Sequence, residues 1–199
     1  QEDCNVVENV LEVNPLPKTG ANIRPKAEQT VSGDIALRKG QAINAAAIGY
    51  LATLGVTEVS VFPKPKVAIL VTGNELVAPG QELNYGQIYE SNAIMLQSAL
   101  TNYGIEQSDV YRVKDDYEST RDELSKMLSS YDVILCSGGI SVGDYDFVGK
   151  ALIELDVKEI FYKIKQKPGK PLFFGKKENA LVFALPGNPA AALTCFNVY

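Results

Sequence analysis

From Lys66 onward the sequence repeats one unit: a short apolar run, a polar or glycine-bearing turn, then apolar residues at helical spacing. Val67–Val71 runs into Thr72-Gly73-Asn74-Glu75, Val110–Val113 into Asp115-Asp116, and Val133-Ile134-Leu135 into Ser137-Gly138-Gly139. The unbroken runs Val67–Val71 and Val133–Leu135 suit strands buried on both faces, because a half-buried strand would alternate. Strands and helices alternating through short connections make a right-handed parallel sheet covered on both faces the economical arrangement. The ends of all three runs then lie along one edge, where open α/β folds bind ligands.

The remaining elements follow from local signals. Ser91 is placed to cap a helix over Asn92–Tyr103 that Gly104 ends, and Glu118–Ser130 is amphipathic with Leu124, Met127 and Leu128 inward. A further helix runs from Phe147 to about Leu155, and Ile160–Lys165 alternates as a strand. Leu172–Phe174 and Leu181–Ala184 pair around the Lys176–Asn179 turn, and Ala190–Tyr199 begins a last helix. Residues 1–62 read differently. Asn5–Val13 looks like one strand, Pro15, Pro17 and Gly20 punctuate a loop, and Gln41–Leu54 is an Ala-rich helix stopped by Gly55. Thr57–Phe62 alternates as a strand, and Pro63 and Pro65 make a stiff linker.

Composition narrows the chemistry. The chain has 199 residues and no histidine, so His-dependent triads and His-ligated metals are excluded within it. Carboxylates, lysines, hydroxyls and backbone remain, a set suited to Mg²⁺ and to phosphate-like anions. The net charge of −5 argues against nucleic acid, and no apolar run has the length of a membrane span. QEDCNVVENV carries no signal-like block, and Cys4, Cys136 and Cys195 lack disulfide or metal spacing, which points to a reducing cytoplasm.

Glu75, Asp115, Asp116, Asp144 and Asp146 gather on the common rim of the expected sheet. Acids so placed either hold a cation such as Mg²⁺ or are solvated loop groups too far apart to interact. Lys163, Lys165 and Lys167 share one face if their segment is a strand, either answering an anion or guarding a sheet edge. Lys167-Pro168-Gly169-Lys170-Pro171 stiffens two lysines around a glycine, which would suit phosphate or molybdate. Leu185-Pro186-Gly187-Asn188-Pro189 presents backbone N–H groups at a helix start. The glycine pair 138–139 allows a sharp turn and close approach of another group, or simply a βα turn with a capping Asp.

Taken in order, TGNEL (72–76), GQIYESN (86–92), DD (115–116), SGGISVGDYDF (137–147), KPGKP (167–171) and LPGNP (185–189) closely resemble the molybdopterin molybdenumtransferase family, which includes MoeA and the E domain of gephyrin. NIRPKAEQTVSGD (22–34) resembles the stretch these proteins carry just upstream, so the likeness covers essentially the whole chain. It implies that residues 64–199 form the molybdenum-cofactor-biosynthesis (molybdopterin-binding) α/β domain, a three-layer α/β/α unit with a mostly parallel sheet. Residues 1–63 would be the C-terminal part of a preceding mixed, β-rich N-terminal or linker domain. The family's first segments and its small C-terminal β domain would lie outside this sequence, leaving the chain inactive alone.

The implied reaction inserts molybdate into adenylyl-molybdopterin with release of AMP, aided by Mg²⁺. Carried over position by position, Glu75, Asp115 and Asp146 match the family's essential acids and metal ligands, and Lys163 and Lys167 its essential lysines. Lys167 and Lys170 match positions lining the molybdate pocket. Thr72, Gly73, Asn92, Ser137, Gly138, Gly139, Ser141, Gly143, Gly187 and Asn188 match substrate-contacting loops. The resemblance also implies a cytoplasmic homodimer and the molybdopterin adenylyltransferase as a partner. Some positions depart from the family pattern. Asn74 stands where an acid is usual, Glu90 replaces an aspartate, Ala27 and Gln29 interrupt an R-x-x-G-E-D motif, and Ala191 replaces a serine. The departures at Gln29 and Ala191 favour a non-catalytic scaffold of the gephyrin type as the alternative. The related adenylyltransferase on the same domain is a third reading, against which the upstream segment and the KPGKP–LPGNP pair argue.

Overall fold

The computed structural model describes residues 4–13, 17–140 and 146–199. Its first segment is a hairpin rather than the single strand expected over Asn5–Val13. β1 (Cys4–Val7) and β2 (Val10–Val13) pair antiparallel, with Val7 opposite Val10. Glu8 and Asn9 between them both take left-handed backbone, φ 50 and 65, as a two-residue hairpin turn of matching twist requires. Helix α1 (Ala45–Thr53) starts later than its Ala-rich pattern suggests, because the Asn44 side chain caps it by accepting from Ala47 N at 2.9 Å. Gly55 ends it as expected: at φ 75 it lets Val56 N reach back to Leu51 O. Thr57–Phe62 forms no strand, and its side chains are exposed. β-branched residues favour an extended backbone, but a ladder needs a second strand. The chain divides into two compact units, Gln1–Val61 and Phe62–Tyr199.

The second unit is built on β3 (Val67–Thr72), whose six residues are all buried. β4 (Leu76–Val77) and β5 (Ile88–Tyr89) form a short parallel pair, followed by α2 (Asn92–Asn102) and β6 (Ser108–Val113). Next come α3 (Tyr117–Ser130), β7 (Val133–Ser137), α4 (Phe147–Glu154) and β8 (Lys158–Tyr162). β9 (Phe173–Lys177), β10 (Ala180–Leu185) and α5 (Pro189–Val198) complete the unit. The sheet order is β6-β3-β7-β10-β9-β8. The first four strands are parallel, β9 is antiparallel to β10, and β8 is antiparallel to β9. The fold is therefore the mostly parallel α/β arrangement that the repeated strand–turn–helix unit predicts.

Period-two alternation along each central strand sends its side chains into two apolar layers. Ala68, Leu70, Ile134, Cys136, Val182 and Ala184 face α3 and α4 through Leu124, Met127, Val148 and Leu152. Val67, Ile69, Val71, Leu135 and Leu185 face α2 and α5 through Leu96, Leu100, Ala192 and Cys195. Full burial of each large aliphatic side chain contributes about 1.5–3 kcal/mol, so continuous apolar runs are what a strand covered on both faces demands. Cys136, wholly enclosed, has its thiol pKa pushed up to about 12 by burial.

Two local expectations give way. Ser91 makes no side-chain cap on α2; Glu90, one residue earlier, supplies the oxygen instead, accepting from Ala93 N at 2.8 Å. Glu90 is 2% exposed, and its second oxygen meets Arg112 Nη2 at 3.4 Å. The strand expected over Ile160–Lys165 ends at Tyr162, and Lys163 turns left-handed at φ 62. Lys163, Lys165 and Lys167 therefore do not line one face of a strand. After Tyr162 the backbone bonds Lys163 N to Leu172 O and Ile164 N to Lys170 O, folding the segment back on itself.

Because Glu90 satisfies a helix N–H from a buried position, Glu90→Ala should lower stability by about 2 kcal/mol in urea unfolding. Arg112→Ala should cost less than half as much, since Arg112 is 56% exposed and its ion pair is screened.

Candidate functional site

Strand register sets the site. Thr72 is opposite Val113, Val71 opposite Ser137, Ser137 opposite Leu185, Ala184 opposite Phe173, and Phe173 opposite Tyr162. The carboxyl ends of β3, β6, β7, β10 and β8 therefore share one edge. The loops that leave them are Gly73–Glu75, Lys114–Asp116, the Gly138–Gly139 turn, Gly187–Asn188 and the lysine segment from Lys163. The chain leaves β3 toward β6 on one side and continues to β7 and β10 on the other, so the sheet reverses direction beside β3. Such a reversal opens a crevice at the strand ends.

The Gly138–Gly139 turn closes over the end of β3. A β-carbon on Gly138 would stand 2.5 Å from Thr72 O, and one on Gly139 would stand 2.7 Å from Thr72 Oγ1, with backbone φ of 89 and 63. Only glycine allows both the left-handed backbone and this approach. Beside the turn, Asn92 at the start of α2 donates through Nδ2 to Ser137 Oγ at 2.7 Å and to Gly187 O at 2.8 Å. One side chain thus ties together the β7 turn, the β10 loop and α2. Asn188 caps α5 by accepting from Ala191 N at 3.1 Å, and Pro189 occupies its first turn.

These elements surround a cleft of about 370 Å³ lined by Thr72, Glu75, Asn92, Ser137, Gly138, Gly187 and Asn188. Leu76, Ile88, Tyr89, Glu90 and Ser91 of the β4–β5 region wall its other side. The buried Thr72 Oγ1 and Asn92 Oδ1 find no hydrogen-bond partner among the described residues. Both belong to residues lining the cleft.

The acids occupy three different situations. Asp115 N donates to Asn74 Oδ1 at 3.2 Å, drawing the β3 and β6 loops together. The carboxyl pKa of Asp115 is raised by burial first, then by the negative charges of Glu75 and Asp116. The nearby Thr72 hydroxyl opposes that rise, although neither it nor Asp115 Oδ1 completes a well-directed hydrogen bond. Asp116 is the N-cap of α3, accepting from Ser119 N at 2.9 Å, and this bond holds its pKa below the usual value. Asp146 caps α4 through Oδ1, bonded to Gly149 N at 2.9 Å, while Oδ2 accepts from the Tyr162 hydroxyl at 2.7 Å. Burial first, and then the Asp146 carboxylate, push the Tyr162 phenol above its ordinary pKa.

Among the described residues no three acids lie close enough to hold a metal by themselves. Glu75 is the foremost neighbouring charge felt at Asp115, so these are the two acids of the edge that could share a cation. Ser141, Gly143 and Asp144 lie outside the described residues. Lys163, Lys167 and Lys170 are exposed, with Lys163 Nζ 4.7 Å from the centre of the Tyr162 ring. The structure thus brings Thr72, Glu75, Asn92, Ser137, Gly138, Gly187 and Asn188 to one cleft. Gly73, Asp115, Gly139, Asp146 and the lysines do not line it. Glu90 and Tyr162 carry contacts that sequence patterns do not reveal, although Glu90 lies within GQIYESN and Tyr162 directly precedes Lys163.

Comparison with known proteins places this architecture. The family described as "Probable molybdopterin binding domain" matches residues 68–199. A molybdopterin molybdenumtransferase of Haemophilus influenzae is 38% identical over 197 residues, 98% of this chain and 48% of that protein. One from Staphylococcus epidermidis is 37% identical over 179 residues, 89% of this chain and 42% of that protein. The chain spans about half the length of the curated relatives it matches. The crystal structure of a molybdopterin biosynthesis MoeA protein from Pyrococcus horikoshii superposes with a TM-score of 0.72 at 32% identity, covering 98% of this chain and 49% of that one. A MoaB enzyme from Thermus thermophilus, 19% identical with a TM-score of 0.52, shares the fold. With the match running through the parallel sheet and every loop on its carboxyl edge, the chain belongs to the molybdopterin-binding domain family.

Proposed function

We propose that the protein of which this chain is a part inserts molybdate into adenylyl-molybdopterin and releases AMP. The observation that carries this reading is the shared carboxyl edge. Loops rich in backbone N–H and a carboxylate pair leave the adjacent ends of β6, β3, β7 and β10 there, and the lysine segment leaves β8 on the same edge beyond β9. Glu75 and Asp115 would hold Mg²⁺, which neutralises phosphate charge as the phosphoric anhydride is hydrolysed. The start of α5 behind Asn188, with the Gly138–Gly139 turn, offers N–H groups to anionic oxygens. Lys167 and Lys170 would meet the molybdate oxyanion, and Lys163 would add positive charge nearby. The molecular partners that fit this reading are small molecules, with a second copy of the protein as a homodimer and the adenylyltransferase as supplier of the adenylylated pterin.

A gephyrin-type scaffold is the second reading. It is favoured by Asp146, both of whose oxygens are already occupied by Gly149 N and Tyr162 OH, and by the losses at Gln29 and Ala191. The deciding measurement is AMP release by the whole protein supplied with adenylyl-molybdopterin, molybdate and Mg²⁺. AMP should appear only when molybdate is present. Release indifferent to molybdate, or none, would overturn the enzymatic reading, and adenylylation from ATP would assign the protein to the adenylyltransferases.

Three variants sharpen this expectation. Asp146→Asn keeps an N-cap oxygen, so its melting temperature should stay within ~2 °C while AMP release falls about 100-fold or more. For Asp115 the sign is set by its raised pKa: the fold favours the protonated form, and that stabilisation fades as pH rises through the raised value. Mg²⁺ should therefore raise the melting temperature more at pH ~7 than at pH ~5, and should have no such effect in Asp115→Asn. Gly138→Ala drives a methyl into Thr72 O from a left-handed backbone and should cost about 2–4 kcal/mol in chemical denaturation.

A further inference from the structure

The lysine loop is not held by its lysines. Its central residue, Gly169, is buried and sits in a notch made by two side chains. A β-carbon there would meet Cys195 Sγ at 2.6 Å and Gln166 Nε2 at 2.7 Å, with backbone φ at 112. Gln166 Nε2 donates to Pro168 O at 2.9 Å and lies 3.8 Å from Cys195 Sγ. Its carbonyl end accepts from the Tyr199 hydroxyl at 3.1 Å, and Cys195 Sγ lies 3.7 Å from Gly169 O. One amide therefore spans the loop backbone and the end of α5, using its donor on the first and its acceptor on the second. The opposite end of α5 begins at Gly187 and Asn188, which line the cleft. The helix is thus a strut with the cleft at one end and the lysine loop clamped at the other.

We infer that Gln166 is a positioning residue: its side-chain amide clamps the Lys167–Lys170 turn to α5 and so fixes how the two lysines meet an oxyanion. The clamp leaves Lys167 and Lys170 exposed on either side of the one buried residue in the turn. Two long side chains on a free loop would lose much of their contact with a small tetrahedral ion to motion, and a backbone pinned at its centre removes part of that cost. This inference rests on the molybdate-binding role proposed above for Lys167 and Lys170.

The test uses the whole protein and follows AMP release as a function of each substrate. Gln166→Met keeps the volume and removes both hydrogen-bonding ends. It should raise the KM for molybdate about three- to tenfold, and leave the KM for adenylyl-molybdopterin within about twofold. Tyr199→Phe, which removes only the carbonyl's partner, should shift the molybdate KM in the same direction by about twofold. It decides the matter if the methionine variant fails to fold. A residue with a merely structural role would lower the melting temperature and disturb both KM values alike, which would overturn the inference. A molybdate KM unchanged in both variants would also overturn it. Lys167→Ala separates the two levels: if that change leaves the molybdate KM untouched, the oxyanion role of the loop falls, and the clamp's proposed purpose falls with it.

Discussion

The contact on which the domain's geometry depends is the closure of the Gly138–Gly139 turn over Thr72. Here the end of β7 comes within van der Waals distance of the end of β3, with no β-carbon between them. That approach lets the β7 turn, the Asn92 side chain and the loop after β10 share one space, since Asn92 can reach Ser137 and Gly187 only if both are near. With a side chain on either glycine, the turn would stand away from the sheet edge and the Asn92 bridge would open. The cleft is shaped first by a steric constraint and then completed by hydrogen bonds.

Charge is distributed over this frame with different degrees of commitment. Asp116 and Asp146 spend oxygens on helix N-termini, where an anion is stabilised by unpaired N–H groups and by the helix dipole. Glu90 does the same from a buried position and relies on Arg112. Asp115 has no such arrangement. It lies partly buried beside Glu75 and Asp116, and its ionised form is disfavoured. Acids that cap helices are satisfied by the fold, whereas an acid whose neighbours are other acids gains most from an added cation. This contrast leaves Asp115 the least satisfied of these acids, and gives Asp146 a capping role whatever else it does.

Most of the architecture was legible in the residues. Val67–Val71 and Val133–Leu135 are continuous apolar runs because both faces of their strands are covered, and burial of this kind leaves a direct trace in sequence. Gly55 and Gly104 marked helix ends correctly, since a left-handed residue is needed there whatever the tertiary context. The misreadings have separate causes. Asn5–Val13 read as one strand because neither Glu8 nor Asn9 is a glycine or proline that would announce a turn, yet both take left-handed backbone. Thr57–Phe62 has strand chemistry but no ladder. The three alternate lysines looked like one strand face until Lys163 turned the chain toward Leu172.

By itself the sequence determined the order of strands and helices, the two-faced burial of the sheet and the loops that leave its carboxyl edge. Those properties reside in side-chain period and in residues whose backbone preferences are intrinsic. Only the tertiary structure decided that Glu90 rather than Ser91 caps α2, that Asp146 is shared between a helix end and Tyr162, and that Gln166 fastens the lysine loop to α5. The Tyr162–Asp146 and Tyr199–Gln166 bonds join residues 16 and 33 positions apart. The α2 cap falls to Glu90 because packing buries that side chain at the helix start, and none of this is written in a local pattern.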